Sequence, residues 1–195
     1  MKDFFKSRSY DMVKMFLNQF AISLFGLVLA VATNNKKPQL RNITSVFSIL
    51  FYLFLLYVMT WELGFKDKIS VDLGKKPRRP LTGLMISLCA NIPNFFFAVC
   101  ITLGKLFPDV SFFSKLGGLS VGAALFSEGM YTGLLANKVW GSALNSYWWV
   151  WFLVTVPAMA TCALAYWLGL SDIKFTSLFD PVYPESDREP KKRKK

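Results

Sequence analysis

The sequence predicts an all-α fold, a polytopic bundle of membrane helices, and three observations lead to this class. The chain is 53% apolar and 16% aromatic, above the roughly 45–50% apolar share of soluble domains. Its apolar residues gather in four segments that each reach the roughly 17–25 residues a helix needs to cross a hydrocarbon core. These segments are continuous, whereas the strands of a transmembrane barrel alternate polar and apolar residues. Helices therefore satisfy the backbone within the bilayer.

The predicted spans follow one another along a single transmembrane domain, residues 1–174. The first ends in Ala30, Val31 and Ala32, the small-x-small spacing of a signal cleavage site, but its long basic leader favours a retained helix. Only the third span contains a charged side chain, Lys105 near its end. The four spans are residues 16–33, 43–61, 81–106 and 147–168.

A fifth segment, residues 116–136, is rich in glycine and only moderately apolar. Cytoplasmic loops are enriched in Lys and Arg, so the basic residues test how often the chain crosses. With four crossings, the side of the membrane that holds both termini carries roughly three times as many Lys and Arg residues as the other side. With five crossings, the two sides carry almost equal numbers. The sequence therefore predicts four transmembrane helices with cytoplasmic termini, plus a re-entrant or interfacial helix at residues 116–136. Five transmembrane helices are the alternative.

The third span carries polar residues at its centre. Ser87, Asn91 and Asn94 are spaced four and three residues apart, which places them on one helical face. Pro93 has no N–H and leaves a carbonyl without its helical partner. The pattern is typical of a kink that packs through interhelical hydrogen bonds. It also resembles the broken helices of transporters, although Pro157 in the fourth span has no asparagine beside it.

Glu128 is the one acidic residue within the glycine-rich segment. An ionisable side chain at membrane depth is costly and often functional. We expect Glu128 either to pair with Lys105 or Lys115, or to be protonated and take part in a relay. If the segment is interfacial, its carboxylate reaches water.

Four glycines of the same segment form two GxxxG motifs, Gly118 with Gly122 and Gly129 with Gly133. The seven-residue step between the motifs keeps all four near one face of a helix. Small residues at this spacing let helix backbones approach closely. The sequence therefore predicts a glycine ridge that packs against a neighbouring helix of this chain or of a partner.

Basic residues concentrate before the third span and at the end of the tail, residues 175–195. The loop after the second span alternates charged and isolated apolar residues, which predicts a short hairpin or an interfacial stretch. Its basic end is suited to anionic lipid headgroups. The tail is predicted to be disordered at its end, and it resembles sequences that contact lipid or ribosomal RNA. The residues predicted to contact lipid or an anionic partner are Lys75, Lys76, Arg78, Arg79, Lys191, Lys192, Arg193, Lys194 and Lys195.

No catalytic constellation is visible in the sequence. The chain contains no histidine, and no nucleophile has a base beside it. We therefore expect no metal and no cofactor. The predicted function is a non-enzymatic accessory or scaffold subunit, in a bacterial plasma membrane or alternatively in the endoplasmic reticulum. It would bind membrane lipids and either other subunits or further copies of itself. The alternative is a small oligomeric channel or transporter with a polar site around Asn91, Asn94 and Glu128.

Overall fold

The computed structural model describes residues 2–33 and 38–173. The predictions for the tail, including Lys191, Lys192, Arg193, Lys194 and Lys195, lie outside the described residues. Within them, helices follow one another with short connections, and two-residue strands form one small hairpin. The helices are α1 (Lys2–Thr33), α2 (Pro38–Asp72), α3 (Thr82–Ala90), α4 (Ile92–Leu106), α5 (Ser111–Ser127), α6 (Thr132–Leu135), α7 (Val150–Leu153) and α8 (Val156–Leu170); 3-10 turns lie at Gly129–Tyr131 and Leu144–Ser146, and the hairpin pairs β1 (Lys138–Val139) with β2 (Ser142–Ala143).

The predicted all-helical membrane class is confirmed. Helix α1, helix α2 and the pair α7–α8 are each long and apolar enough to cross a membrane. Helices α3 and α4 reach this length only as a pair and are bent by 53° where they meet. Large apolar side chains are exposed along all of these helices, as expected for surfaces that face lipid.

Proline determines where two of the helices begin. Pro93 lies in the first turn of α4 and Pro157 in the first turn of α8. A helix does not use the N–H groups of its first turn, so proline is tolerated there. Because Pro93 cannot donate to the carbonyl of Cys89, the apolar run of residues 81–106 divides into α3 and α4 at Asn91.

The structure corrects the predicted hairpin or interfacial stretch after the second span. Helix α2 continues to Asp72, well past the predicted span end at Trp61. Thr60, Gly64 and Asp67 prolong the buried stripe of α2 at helical spacing. The charged residues between them occupy the exposed sides of the same helix, which explains the alternation in the sequence.

The core lies between α1, α2, α3 and α8, and the most extensive helix contact is between α2 and α8. Gly64 and Gly169 let these two backbones approach: a Cβ placed at Gly64 would lie 3.2 Å from the Cα of Gly169. The largest fully buried side chains include Trp151, Tyr52 and Met15. Since Met15 lies on α1, the first helix is part of this core.

The glycine-rich segment does not form one helix. Helix α5 forms an antiparallel pair with α4 and ends at Ser127, after which a 3-10 turn packs on α1 and α2. Helix α6 continues along α2. Residues 116–136 therefore contain a break at Glu128, as residues 81–106 contain one at Asn91.

Candidate functional site

Asn91 and Asn94 repair the break between α3 and α4. The side-chain amide of Asn91 donates to the carbonyl of Ser87 at 2.9 Å, and the amide of Asn94 donates to Oδ1 of Asn91 at 3.0 Å. Asn91 and Asn94 are 1% and 3% exposed. Ser87, Asn91 and Asn94 thus lie together inside the bundle, and most of their polar capacity is used locally.

Glu128 caps the C-terminus of α5, directly after Ser127, and is 3% exposed. Across residues 2–33 and 38–173, its carboxylate accepts no hydrogen bond and forms no ion pair. The predicted pairing with Lys105 or Lys115 is wrong. Lys115 lies about 20 Å away along α5, and both lysines are exposed near the α4–α5 connection. The prediction that Glu128 reaches water as an interfacial residue does not hold either, because the side chain is buried.

A serine on α1 holds the break at Glu128 in place. The hydroxyl of Ser23 donates to the carbonyl of Phe126 at 2.6 Å and accepts the N–H of Gly129. One side chain thereby replaces helical hydrogen bonds on both sides of the break. A Cβ at Gly129 would collide with the carbonyl of Ser23 and lie 2.8 Å from the Cβ of Leu27. Sequence reasoning missed Ser23, whose only signal was a polar residue inside an apolar span.

The two breaks come to the same end of the α4–α5 pair. These helices approach closely at Gly104 and Gly117, where a Cβ on Gly104 would lie 2.8 Å from the Cα of Gly117. Asn94 lies ten residues before Gly104, and Ser127 lies ten residues after Gly117. Because α4 and α5 run antiparallel, ten residues back from Gly104 and ten residues on from Gly117 lead to the same end of the pair. Asn94 and Glu128, which follows Ser127, therefore lie at this end.

Polar side chains of α2 and α8 join the two breaks. Tyr52 lies within electrostatic range of Glu128, Tyr131 and Cys162. The sulfur of Cys162 accepts a hydrogen bond from the hydroxyl of Thr60 at 3.5 Å and lies near Ser87. We call this group the buried polar centre; its members are Tyr52, Thr60, Ser87, Asn91, Asn94, Glu128, Tyr131 and Cys162.

The buried polar centre retains unused hydrogen-bonding capacity. Oδ1 of Asn94 and the hydroxyl of Tyr131 are buried and have no partner among the residues described. Buried polar atoms are nearly always hydrogen-bonded in proteins. The centre can therefore accept a further polar group, such as water or a small solute. Among the described residues, no three His, Cys, Asp or Glu side chains lie close enough to hold a metal ion.

The prediction that four glycines form one ridge on a single helical face is wrong. Gly118 and Gly122 lie on an exposed side of α5 with no atom within 4 Å of an added Cβ. Gly129 and Gly133 follow the break and pack against α1 and α2, where Gly133 meets Arg41. The seven-residue step fails because α5 ends at Ser127 and the backbone then changes direction.

The basic residues before α3 have different surroundings. Lys76 donates to the buried Asp67 at 3.2 Å, and Arg78 donates to Ser171 at 3.5 Å. Lys75 and Arg79 are exposed. The four predicted contact residues therefore lie at one end of the bundle, at the base of α3.

Three long apolar helices and apolar outer surfaces, around a core that is mostly apolar, define the class of this protein: it is an all-helical membrane-embedded protein. No protein-family model, no curated protein and no solved structure matches the chain.

Proposed function

We propose that this protein is a non-enzymatic integral membrane subunit that packs against other membrane-protein subunits or against further copies of itself. The observation that supports the proposal is the open face of α5 at Gly118 and Gly122. Most other helical glycines of the bundle are covered by a neighbouring helix. Leu119, beside the open face, is 76% exposed. A GxxxG face that no helix within residues 2–33 and 38–173 covers is suited to close approach by a helix of another chain.

The proposed topology has four crossings, with α3 and α4 as one bent span and both termini in the cytoplasm. Helix α5, the 3-10 turn and α6 then form a re-entrant segment, in which irregular backbone is tolerated because protein surrounds it. The distribution of Lys and Arg supports this arrangement. A bacterial plasma membrane with anionic lipids is the proposed location, and contact of the basic tail with lipid or ribosomal RNA is part of the same proposal.

Photo-crosslinking tests the subunit proposal. A photoreactive amino acid replaces Leu119, and in a matched control it replaces Leu164, an exposed residue of α8. We expect an adduct with a membrane protein from position 119 and none from position 164. Gly118→Leu with Gly122→Leu should abolish the adduct, because leucine blocks close approach, whereas Ala160→Leu on the exposed side of α8 should preserve it. An adduct that survives the double glycine substitution contradicts the proposal.

A second candidate function is a small channel or transporter, and the buried polar centre favours it. Glu128 is buried without an ion pair in the described structure, at one of two helix breaks. Discontinuous helices and buried ionisable groups are typical of solute and proton pathways. Flux through liposomes that contain only the purified protein tests this function. Flux that is lost in Glu128→Gln with Asn91→Ala would establish transport and overturn a purely structural role; absence of flux in the unmodified protein counts against transport.

A further inference from the structure

A cavity of about 300 Å³ lies at the end of the bundle where α2 and α8 finish and α3 begins. It is separate from the buried polar centre and from the open face of α5. Its volume is at the lower end of the range found for small-molecule sites. Polar and charged groups from four parts of the chain line it: Arg8, Asp67, Lys76, Arg79, Thr82 and Tyr166. We call it the Asp67 cavity.

The carboxylate of Asp67 organises the charges of this cavity. The hydroxyl of Tyr166 donates to it at 2.6 Å, Lys76 donates at 3.2 Å, and Arg8 forms an ion pair with it. Asp67 is 6% exposed, so its acceptor capacity is directed to these three groups. Asp67 acts here as a positioning residue that holds Arg8 and Lys76 at the cavity wall.

The lining carries more positive than negative charge. The lining contains three basic side chains, Arg8, Lys76 and Arg79, and one carboxylate, Asp67. The net charge stays positive even when Asp11, at 3.3 Å from Arg8, is counted. The guanidinium of Arg79 forms no hydrogen bond or ion pair within residues 2–33 and 38–173. The side chain of Lys76 is 53% exposed and keeps donors free for another acceptor. The cavity therefore presents positively charged side chains whose N–H groups are free to bind an anion.

The start of α3 adds to this positive potential. Thr82 begins α3 and lines the cavity, and its hydroxyl donates to the carbonyl of Arg79 at 3.0 Å. The first N–H groups of a helix and its dipole favour an anion at this end. The hydrogen bond from Thr82 keeps the backbone of Arg79 beside the helix start. Thr82, at the start of α3, and Arg79 thus line the same cavity.

We propose that the Asp67 cavity binds the phosphate group of an anionic ligand. Arginine binds phosphate through paired N–H donors, and the lysine and the helix start supply further charge. The phosphate can belong to a lipid headgroup or to a soluble phosphate compound. Trp167, which follows the cavity residue Tyr166, is 48% exposed, and exposed tryptophans on membrane helices lie at headgroup level. The cavity therefore lies close to the level of the headgroups, where lipid phosphates and soluble phosphate compounds are both present.

The test uses the full chain in phosphatidylcholine nanodiscs, with phosphatidylglycerol as one probe and inorganic phosphate as the other. Native mass spectrometry measures retained lipid, and the thermal midpoint followed by tryptophan fluorescence measures binding of phosphate. We expect Arg79→Gln to weaken binding about tenfold, the typical effect of losing a charged hydrogen bond. Arg78→Gln is the matched control, because this adjacent arginine carries the same charge but does not line the cavity.

The outcomes separate the two sources of phosphate. Retention of phosphatidylglycerol that is lost in Arg79→Gln and kept in Arg78→Gln supports a lipid site. Stabilisation by inorganic phosphate with the same dependence on Arg79 supports a site for a soluble phosphate compound. If both variants lose binding equally, the effect is that of a basic surface, and the proposed site is overturned. Binding of neither probe to the unmodified protein also overturns it.

Discussion

Ser23 on α1 and Gly129 after α5 meet across more than a hundred residues of sequence, and their contact holds the break at Glu128. The serine hydroxyl accepts the N–H of Gly129 while it donates to the carbonyl of Phe126. The break therefore exists because another helix supplies the missing hydrogen bonds. The depth of Glu128 in the bundle depends on this contact.

Ser23→Ala should lower the free energy of unfolding by about 1–2 kcal/mol, because it leaves a buried N–H and a partly buried carbonyl without a partner. Equilibrium unfolding in detergent measures the change. Ser9→Ala on the same helix is the control, since its hydroxyl is exposed and bonds only within its own turn. Equal stability of the two variants would show that Ser23 does not support the break.

Gly129→Ala should destabilise the protein, whereas Gly118→Ala should not. An added Cβ at Gly129 collides with α1, which we expect to cost about 1–3 kcal/mol. At Gly118 nothing lies within 4 Å, so alanine should be neutral or stabilise α5 by up to about 1 kcal/mol. Thermal unfolding of the two proteins in one detergent makes the comparison. A destabilised Gly118→Ala would mean that this face is already covered.

Asp67→Asn should destabilise the protein by up to about 3 kcal/mol, because it removes the buried negative charge that faces Arg8 and Lys76 and leaves Asp11 as the remaining carboxylate beside Arg8. The side chains of Arg8 and Asp67 are 13% and 9% exposed. Asp172→Asn is the matched control, because it breaks an ion pair with Lys68 at the surface. The side chains of Lys68 and Asp172 are 28% and 46% exposed. Pairs of that kind contribute at most about 1 kcal/mol. Chemical denaturation measures the free energy of unfolding of both variants. An equal loss of stability in the two would contradict the prediction.

Asn91→Ala should destabilise the protein more than Asn94→Ala. The amide of Asn91 both donates to Ser87 and accepts from Asn94, whereas Asn94 supplies one donor. With about 0.6 kcal/mol for a typical hydrogen bond between membrane helices, the expected difference is of that size. Unfolding in mixed micelles measures it. The reverse order would indicate that Asn94 has a partner beyond Asn91.

Local properties of the sequence were sufficient for the helical class, for the apolar parts of the long helices and for the break at Pro93, although α1 begins at Lys2, well before the predicted residue 16. The length of an apolar segment and the missing N–H of proline are properties of one continuous stretch of chain. They can therefore be recognised without knowing which other helices pack against it. The same reasoning failed for α2. The charges near Lys66 and Asp72 concealed a buried stripe through Thr60, Gly64 and Asp67, although its helical spacing was present in the sequence.

By itself the sequence determined an all-helical membrane protein with polar residues in its interior and a basic end. The tertiary structure alone decided which glycines are covered, how deep Glu128 lies and which cation meets Asp67. Each of these depends on a partner far along the chain: Ser23 for the break at Glu128, α1 for Gly129, and Arg8 for Asp67. Burial and hydrogen bonding of a side chain are properties of its neighbours in space, and the spacing of residues along one helix does not contain them.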